Sequence, residues 1–236
     1  MKTLFTAVII SVACLTLNAQ GGSGIGYIFD LGGSNWTQPN SDYFQSISTY
    51  THNGFIRFHN TKGTQAFQIM VGYRIDSIRF RNYSSFMAPD GQTMMNYNTD
   101  AYIKRNALKV AAINQFQFGR RPGRFMVSLN TGMFYEYAIR ASRFSFGDGL
   151  RYKLDKELNR NNFGVVLGTE VRFWWFTIGC KYEKLIGDML NHNYILSQEL
   201  NLENSSELRG LRLNPGMWFL TLGVNLDFLE EPSKDD

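Results

Sequence analysis

Three histidines, His52, His59 and His192, have the greatest catalytic potential in this sequence. A histidine can act as general base for a serine nucleophile when a carboxylate orients its ring. Ser48 precedes His52 and Asp188 precedes His192 at short distance in the chain. Neither pair forms part of a Ser-His-Asp set with recognisable spacing. The sequence therefore predicts no catalytic residue.

Metal and cofactor chemistry has equally little support. Cys14 lies in an N-terminal apolar run, so Cys180 is the single cysteine expected in the processed chain. One thiol cannot form an internal disulfide, and no cysteine pair is available for zinc. No His, Asp and Glu residues are clustered at metal-ligand spacing. We therefore expect no metal and no cofactor.

The first residues have the organisation of a secretory signal. Lys2 gives a basic start, residues 4–17 are apolar and uncharged, and Ala19 is a small residue at a suitable cleavage position. The apolar run is too short to persist as a membrane-spanning helix. Cleavage after Ala19 is favoured over lipoprotein processing at Cys14, because the usual leucine is missing before that cysteine. Residues 1–19 are thus predicted to be a signal peptide.

The composition of the chain combines aromatic richness with modest hydropathy. Aromatic residues make up 15% of the chain, whereas the mean hydropathy is −0.25. No segment after residue 20 is apolar enough for a transmembrane helix. The net charge of +4 is dispersed, which argues against nucleic-acid binding. A β-barrel wall accounts for both the aromatic content and the modest hydropathy. In such a wall one residue faces lipid and the next faces a polar lumen.

Period-two alternation supports such a wall. In residues 218–228 every even position is apolar, while most odd positions are small or polar, as in a strand with one apolar face. Seven further segments show similar alternation, near residues 27–31, 56–58, 67–73, 108–118, 125–139, 163–173 and 176–182.

The connections between these segments alternate in length. Short connections fall at 60–63, 119–123 and 173–176, and longer ones fall at 35–50, 84–97, 147–160 and 187–193. This asymmetry is typical of outer-membrane barrels, with short periplasmic turns and longer extracellular loops. The prediction is an all-β fold: an eight-stranded antiparallel transmembrane β-barrel over residues 20–229, with both termini periplasmic. The acidic tail 230–236 is expected to be disordered.

A soluble secreted sandwich is the alternative fold, since its strands also alternate. The barrel is favoured because the less apolar face of the strands carries Gly with assorted Arg, Lys, Glu, Gln and Asn, and because many strands end in aromatic residues. Several segments are also long. Residues 64–83, 124–146 and 207–228 keep strand-like composition for about twice the 9–11 residues that cross the apolar band. We expect walls that continue beyond the outer leaflet, with residues 194–203 and 207–213 forming a projecting hairpin.

The positions assigned to the lumen carry many charges. An eight-stranded barrel is only wide enough for its own side chains, so these charges must pair with one another. A salt-bridged plug is therefore favoured over a selective channel. The predicted lumen network consists of Arg57, Arg74, Lys109, Glu136, Arg140, Glu170, Arg172, Lys181, Glu183 and Asp227.

The connection 84–97 is the most distinctive of the loops. Methionine adapts to irregular contact surfaces, and aromatic side chains contribute large apolar contacts. The loop either folds back over the barrel mouth or binds a partner. Its candidate contact residues are Phe86, Met87, Met94, Met95 and Tyr97.

Several short motifs carry a family resemblance. Ala19-Gln20 at the end of the signal, GIGY at 24–27, LGGSN at 31–35 and LGVNLDF at 222–228 together resemble the small outer-membrane β-barrel proteins of Bacteroidota. Members of that group are mostly porin-like, and some are accessory barrels of larger machines, including the type IX secretion apparatus. The resemblance implies outer-membrane lipid and other envelope proteins as partners.

Three functional interpretations follow from these observations. The first is a barrel with a plugged polar lumen that acts as a structural or partner-binding subunit of an envelope complex. The second is a porin-like channel for small solutes, suggested by the polar lumen. The third is a lipid-modifying outer-membrane enzyme, although the chain is not expected to be an enzyme.

Overall fold

The computed structural model describes residues 22–34, 44–60, 64–87, 94–119, 125–145, 151–153, 158–189 and 216–228. The predicted signal peptide, the acidic tail and the hairpin expected over 194–213 lie outside these ranges. Within the ranges, no helix is long and apolar enough to cross a membrane.

The described chain consists of antiparallel strands that pair in chain order. The strands are β1 (Ser23–Ser34), β2 (Phe44–His59), β3 (Gln65–Met87), β4 (Met94–Gly119), β5 (Met126–Ser145), β6 (Arg151–Lys153), β7 (Asn161–Phe173), β8 (Phe176–Leu185) and β9 (Gly216–Phe228). Strand β9 pairs with β1 and thereby closes the barrel. The short β6 pairs with residues 142–144 of β5 and is not one of the eight long strands that close the barrel.

The strand register fixes the shape of the barrel. Following paired residues from Ser23 through all eight long strands leads back to Gly33, so the shear is ten residues. An eight-stranded barrel with this shear has strands tilted by about 40° to its axis. The prediction of an eight-stranded antiparallel barrel is confirmed, and its interior has room only for side chains.

The distribution of side chains is inverted relative to a soluble protein. In β7 the outward side chains, from Phe163 to Phe173, are exposed and mostly apolar, while the inward ones are buried. Strand β9 shows the same pattern between Trp218 and Phe228. The sandwich alternative is therefore wrong, because a sandwich buries its apolar face.

The exterior forms a belt of the height expected for lipid. Phe163 and Phe173 lie ten positions apart on β7, as do Trp218 and Phe228 on β9. About 9–11 residues of tilted strand are needed to cross the hydrocarbon layer. Aromatic residues thus mark both edges of an apolar belt, which is the construction of a membrane-spanning barrel.

Strands β3, β4 and β5 are much longer than the belt requires, at 23, 26 and 20 residues. The predicted extension of 64–83 and 124–146 is thereby confirmed, whereas 207–215 lies outside the described part of β9. The loop expected over 84–97 is corrected: β3 and β4 stay paired as far as Met87 and Met94, which leaves 88–93 as the connection. Similarly, β2 already begins at Phe44 within the loop expected over 35–50.

Candidate functional site

The barrel interior contains equal numbers of opposite charges. Six cationic and six anionic side chains face inward in the part of the chain that the structure describes. The cations are Arg57, Arg74, Arg105, Lys109, Arg172 and Lys181, and the anions are Asp30, Asp76, Glu136, Glu170, Glu183 and Asp227. This balance means that the lumen presents no excess charge to attract ions of either sign.

Arg140 is the exception among the residues predicted to face the lumen. Ala107 pairs with Ala138, whereas the adjacent Asn106 pairs with Arg140, so Ile139 is a bulged residue without a partner on β4. A bulge shifts the alternation by one position. Arg140 is therefore exposed, and Ala141 takes the buried position instead. The prediction that Arg140 belongs to the lumen network is wrong for this reason.

The interior nearer the long-loop end is centred on two arginines. Arg74 Nε lies 2.8 Å from Asp76 Oδ1, and Arg74 Nη1 lies 2.5 Å from Glu136 Oε1 and 3.1 Å from Glu183 Oε2. Arg105 contacts Asp76 and Glu136 at 2.6 and 3.0 Å. All five of these side chains are almost completely buried. Each arginine thus bridges carboxylates from different strands.

The same cluster extends across the lumen to β8 and β1. Lys181 Nζ lies 2.6 Å from Asp30 Oδ2 and 2.9 Å from Glu183 Oε1. Lys109 also forms an ion pair with Glu183. Thr221 donates a 2.8 Å hydrogen bond to the Asp30 carboxylate. The eight charges of this upper cluster, four of each sign, therefore form one continuous network that ties opposite walls together.

A second cluster fills the interior at the short-turn end. Asp227 accepts contacts from Arg57 at 3.3 Å and from Arg172 at 2.9 Å. His59 lies 3.3 Å from both the Asp227 carboxylate and the Gln117 amide oxygen. These groups lie near the end of β2 and the start of β3, at the end of the barrel where β1 begins. Side-chain amides and Glu170 complete this lower cluster.

Apolar side chains share the lumen with the two charge clusters. Phe55 and Phe134 are buried in one apolar cluster with Ile28, Met70, Ile113 and Val166. Gly26 and Gly164 make room for the rings, because a Cβ at either position would lie within 2.4 Å of ring carbon atoms. Arg57 lies 4.6 Å from the Phe55 ring centroid and Lys109 lies 4.4 Å from that of Phe134. Each ring thus forms a cation–π contact with one cation of a charge cluster.

Apolar side chains are buried in the lumen at the long-loop end. Leu158 and Met189, from the chain ends that adjoin β7 and β8, are buried, and the backbone N–H of Asn159 donates to the Met189 carbonyl at 3.3 Å. The side-chain amide of Asn159 donates to the Asp188 carbonyl. The other buried apolar residues at this end are Ile47, Ile78, Ile103 and Leu185.

The charged side chains of the lumen are deeply buried. Arg57, Arg74 and Arg105 have no exposed surface at all. The described part of the chain also holds no group of three or more His, Cys, Asp or Glu side chains placed for a metal ion.

The histidines are separated by the fold. His59 is inside the barrel, whereas His52 is on the outer face and forms a hydrogen bond with the Tyr27 hydroxyl. His192 lies outside the described residues. Among the residues that the structure places, no histidine lies within hydrogen-bonding reach of both a serine and a carboxylate.

The residues proposed for partner binding occupy a projecting β-ribbon. Strand β2 ends its pairing with β3 at Phe80, and β5 ends its pairing with β4 at Ala101. Beyond these points residues 81–87 and 94–100 pair only with each other in the described structure. We call this segment the β3–β4 ribbon. It carries all five candidates: Phe86 pairs with Met95, Met87 with Met94, and Tyr97 with Ser84.

Sequence reasoning missed three interior charges: Asp30, Asp76 and Arg105. Asp76 shares the parity of Arg74 on β3, and Arg105 shares that of Lys109 on β4. Extending the same alternation outward by one or two steps would have included both. Asp30 similarly alternates with the outward Phe29 and Leu31.

Comparison with known proteins adds structural similarities only. No family model and no curated protein sequence matches the chain. Among solved structures, it is similar to Neisserial surface protein A, with 13% identity over 88% of this chain and 97% of that chain and a TM-score of 0.39. It is also similar to Ail of Yersinia pestis (15% identity, 87% and 99% coverage, TM-score 0.38) and to the N-terminal β-barrel domain of Pseudomonas aeruginosa OprF (11%, 89% and 100%, TM-score 0.37).

Proposed function

We propose that this protein is an outer-membrane β-barrel that serves as a partner-binding subunit of an envelope complex, and that the partner docks on the β3–β4 ribbon. The observation that carries the proposal is the ribbon itself. Seven residue pairs continue beyond the last residues paired with β2 and β5. At about 3.3 Å per residue, they extend the wall by about 23 Å along the strand direction.

The ribbon has the two properties that a docking element needs. Its outer edges, 81–87 and 94–100, have no partner strand among the described residues, and such edges readily pair with an extended segment of another chain. It also concentrates Phe86, Met95 and Tyr97, and these residue types are enriched at protein interfaces. A filled lumen supports the same assignment, since transport through the barrel needs an open path.

The proposed orientation follows the asymmetry of the connections. The connections that follow β2, β4 and β7 are short and join strand ends on the side where β1 starts and β9 ends, so this end faces the periplasm. The ribbon then projects from the outer surface. The resemblance to small Bacteroidota barrels makes a secretion machine such as the type IX apparatus a candidate for the complex.

The experiment is site-specific photocrosslinking in whole cells of the source bacterium. A photoreactive amino acid at position 97 or 86 should give discrete crosslinked products of defined mass. The same group at Leu220, which faces lipid, is the control and should give none. A variant in which Asn-Gly replaces residues 84–97 should still fold as a barrel and lose the products. A chain that crosslinks to no protein from either ribbon position would overturn the proposal.

A porin-like channel is the second candidate, favoured by the number of charged side chains inside the barrel. It predicts steady conductance from pure protein in planar bilayers. The proposed closed lumen predicts none, because paired charges and buried apolar side chains fill the interior. Steady openings from the pure protein would favour the channel.

A further inference from the structure

The outer wall contains a groove within the apolar belt, close to the short-turn end. It has a volume of about 480 Å³ and is lined almost entirely by apolar atoms. Ile178, Leu222 and Val224 form its sides, Phe173 and Phe176 its lower rim, and Tyr27 its far wall. Volumes of about 300–1,000 Å³ are typical of small-molecule sites.

The register explains why a groove forms at this point. Thr177 pairs with Gly223, and both residues point inward, so the floor between the flanking outward side chains is backbone. Phe176 pairs with Val224, and Tyr27 pairs with Val224 from the other side. The Tyr27 ring is held in place because its hydroxyl bonds to His52. A hydrogen bond outside the groove therefore orients one of its walls.

A strained aromatic turn borders the lower rim. Strands β7 and β8 are joined by Trp174 and Trp175, and Trp174 has a φ of 53°. This left-handed conformation is strained for a residue with a side chain, and glycine or asparagine usually occupies it. The Trp174 ring stacks on Phe173, with centroids 5.1 Å apart. Both tryptophans are more than half exposed.

We propose that this groove binds one acyl chain of a phospholipid whose head group lies beside Trp174 and Trp175. The belt position makes hydrocarbon the medium that covers the groove. Tryptophan side chains prefer the level of the lipid head groups. The strained turn therefore places two indoles beside the expected position of the head group, when the acyl chain of the same lipid lies in the groove. Within a bilayer, binding comes from packing rather than from the hydrophobic effect. The apolar walls provide that packing, and no head-group charge is required.

The test compares retention of 1-palmitoyl-2-oleoyl phosphatidylethanolamine after the full barrel is extracted from vesicles of that lipid and washed in detergent. Native mass spectrometry counts the lipids bound per barrel. The Val224→Trp variant fills the groove from outside, and Val110→Trp is the matched control, because Val110 is similarly exposed to lipid on β4. Wild type and Val110→Trp should retain one lipid per barrel, and Val224→Trp should lose it.

Three outcomes would overturn the inference. Wild type that retains no lipid would exclude a preferred site, and equal retention by both tryptophan variants would show general surface lipid only. A change from dimer to monomer in Val224→Trp, without lipid loss, would identify a second copy of the chain as the occupant. Exchange to phosphatidylglycerol vesicles should leave retention unchanged, and strong head-group dependence would contradict recognition through the acyl chain.

Discussion

Arg74 on β3 and Glu136 on β5 form an ion pair across β4, with Arg74 Nη1 2.5 Å from Glu136 Oε1. The two strands are not neighbours in the sheet, so this contact connects them through the lumen across β4. Arg74 also contacts Asp76 and Glu183. One guanidinium therefore satisfies three carboxylates that have no access to water.

Replacing Arg74 by methionine should be strongly destabilising. The change leaves buried carboxylates without their main partner, and breaking a buried pair on one side costs about 3–5 kcal/mol. The free energy of unfolding, measured by urea titration in lipid vesicles, should fall by about that amount. Arg140→Met is the matched control, since Arg140 is exposed, and its change should stay within about 0.5 kcal/mol. Similar losses for both variants would mean that the network does not stabilise the barrel.

The contrast between these arginines shows how far alternation can predict this fold. Period-two patterning predicts the eight long strands, because one face of each strand contacts lipid throughout. It assigns Arg74 to the lumen for the same reason. It fails at Arg140 because nothing in the local sequence indicates the bulge at Ile139, which depends on pairing with Asn106 and Ala107.

The pairing partners of the interior charges could not be predicted either. Alternation places Lys109 and Glu183 inside, but their contact joins β4 to β8 and depends on the shear of the closed barrel. The groove near Gly223 and the left-handed Trp174 also arise from register and turn geometry. These are relations between distant segments, for which the sequence contains no local signal.

Introducing arginine into the lipid-facing belt should destabilise the barrel according to depth. Leu222 is exposed on β9 and lies near the middle of the belt, so Leu222→Arg should cost about 2–4 kcal/mol in vesicles. Ile186 is also exposed but follows the end of β8, where arginine should cost about 0–1 kcal/mol. The measurement is unfolding free energy in vesicles of one lipid composition. Equal costs at both positions would contradict the assignment of the belt.

The position of Cys180 provides a chemical test of the same belt. Its side chain is exposed and points outward between Thr169 and Leu220, so it should face lipid. A water-soluble maleimide should label it slowly in intact vesicles and rapidly after denaturation. Lys153→Cys in a Cys180→Ser background should label rapidly in both states, since Lys153 is exposed on β6 above the belt. Rapid native labelling of Cys180 would place it in contact with water.

The strain at Trp174 leads to opposite effects for two neighbouring substitutions. Trp174→Gly should leave the barrel as stable as wild type or more so by about 1 kcal/mol in detergent micelles, because glycine adopts the left-handed conformation without the steric cost. Trp175 does not have a positive φ, so Trp175→Gly should destabilise by about 0.5–1 kcal/mol through the added freedom of the unfolded chain. In phosphatidylethanolamine vesicles both variants should unfold more readily than wild type, since each removes an indole from the head-group level. Urea titration in the two media separates these effects. If Trp174→Gly and Trp175→Gly lose the same stability in micelles, the turn holds no strain at position 174. No membrane role would then be needed to explain a tryptophan at that position.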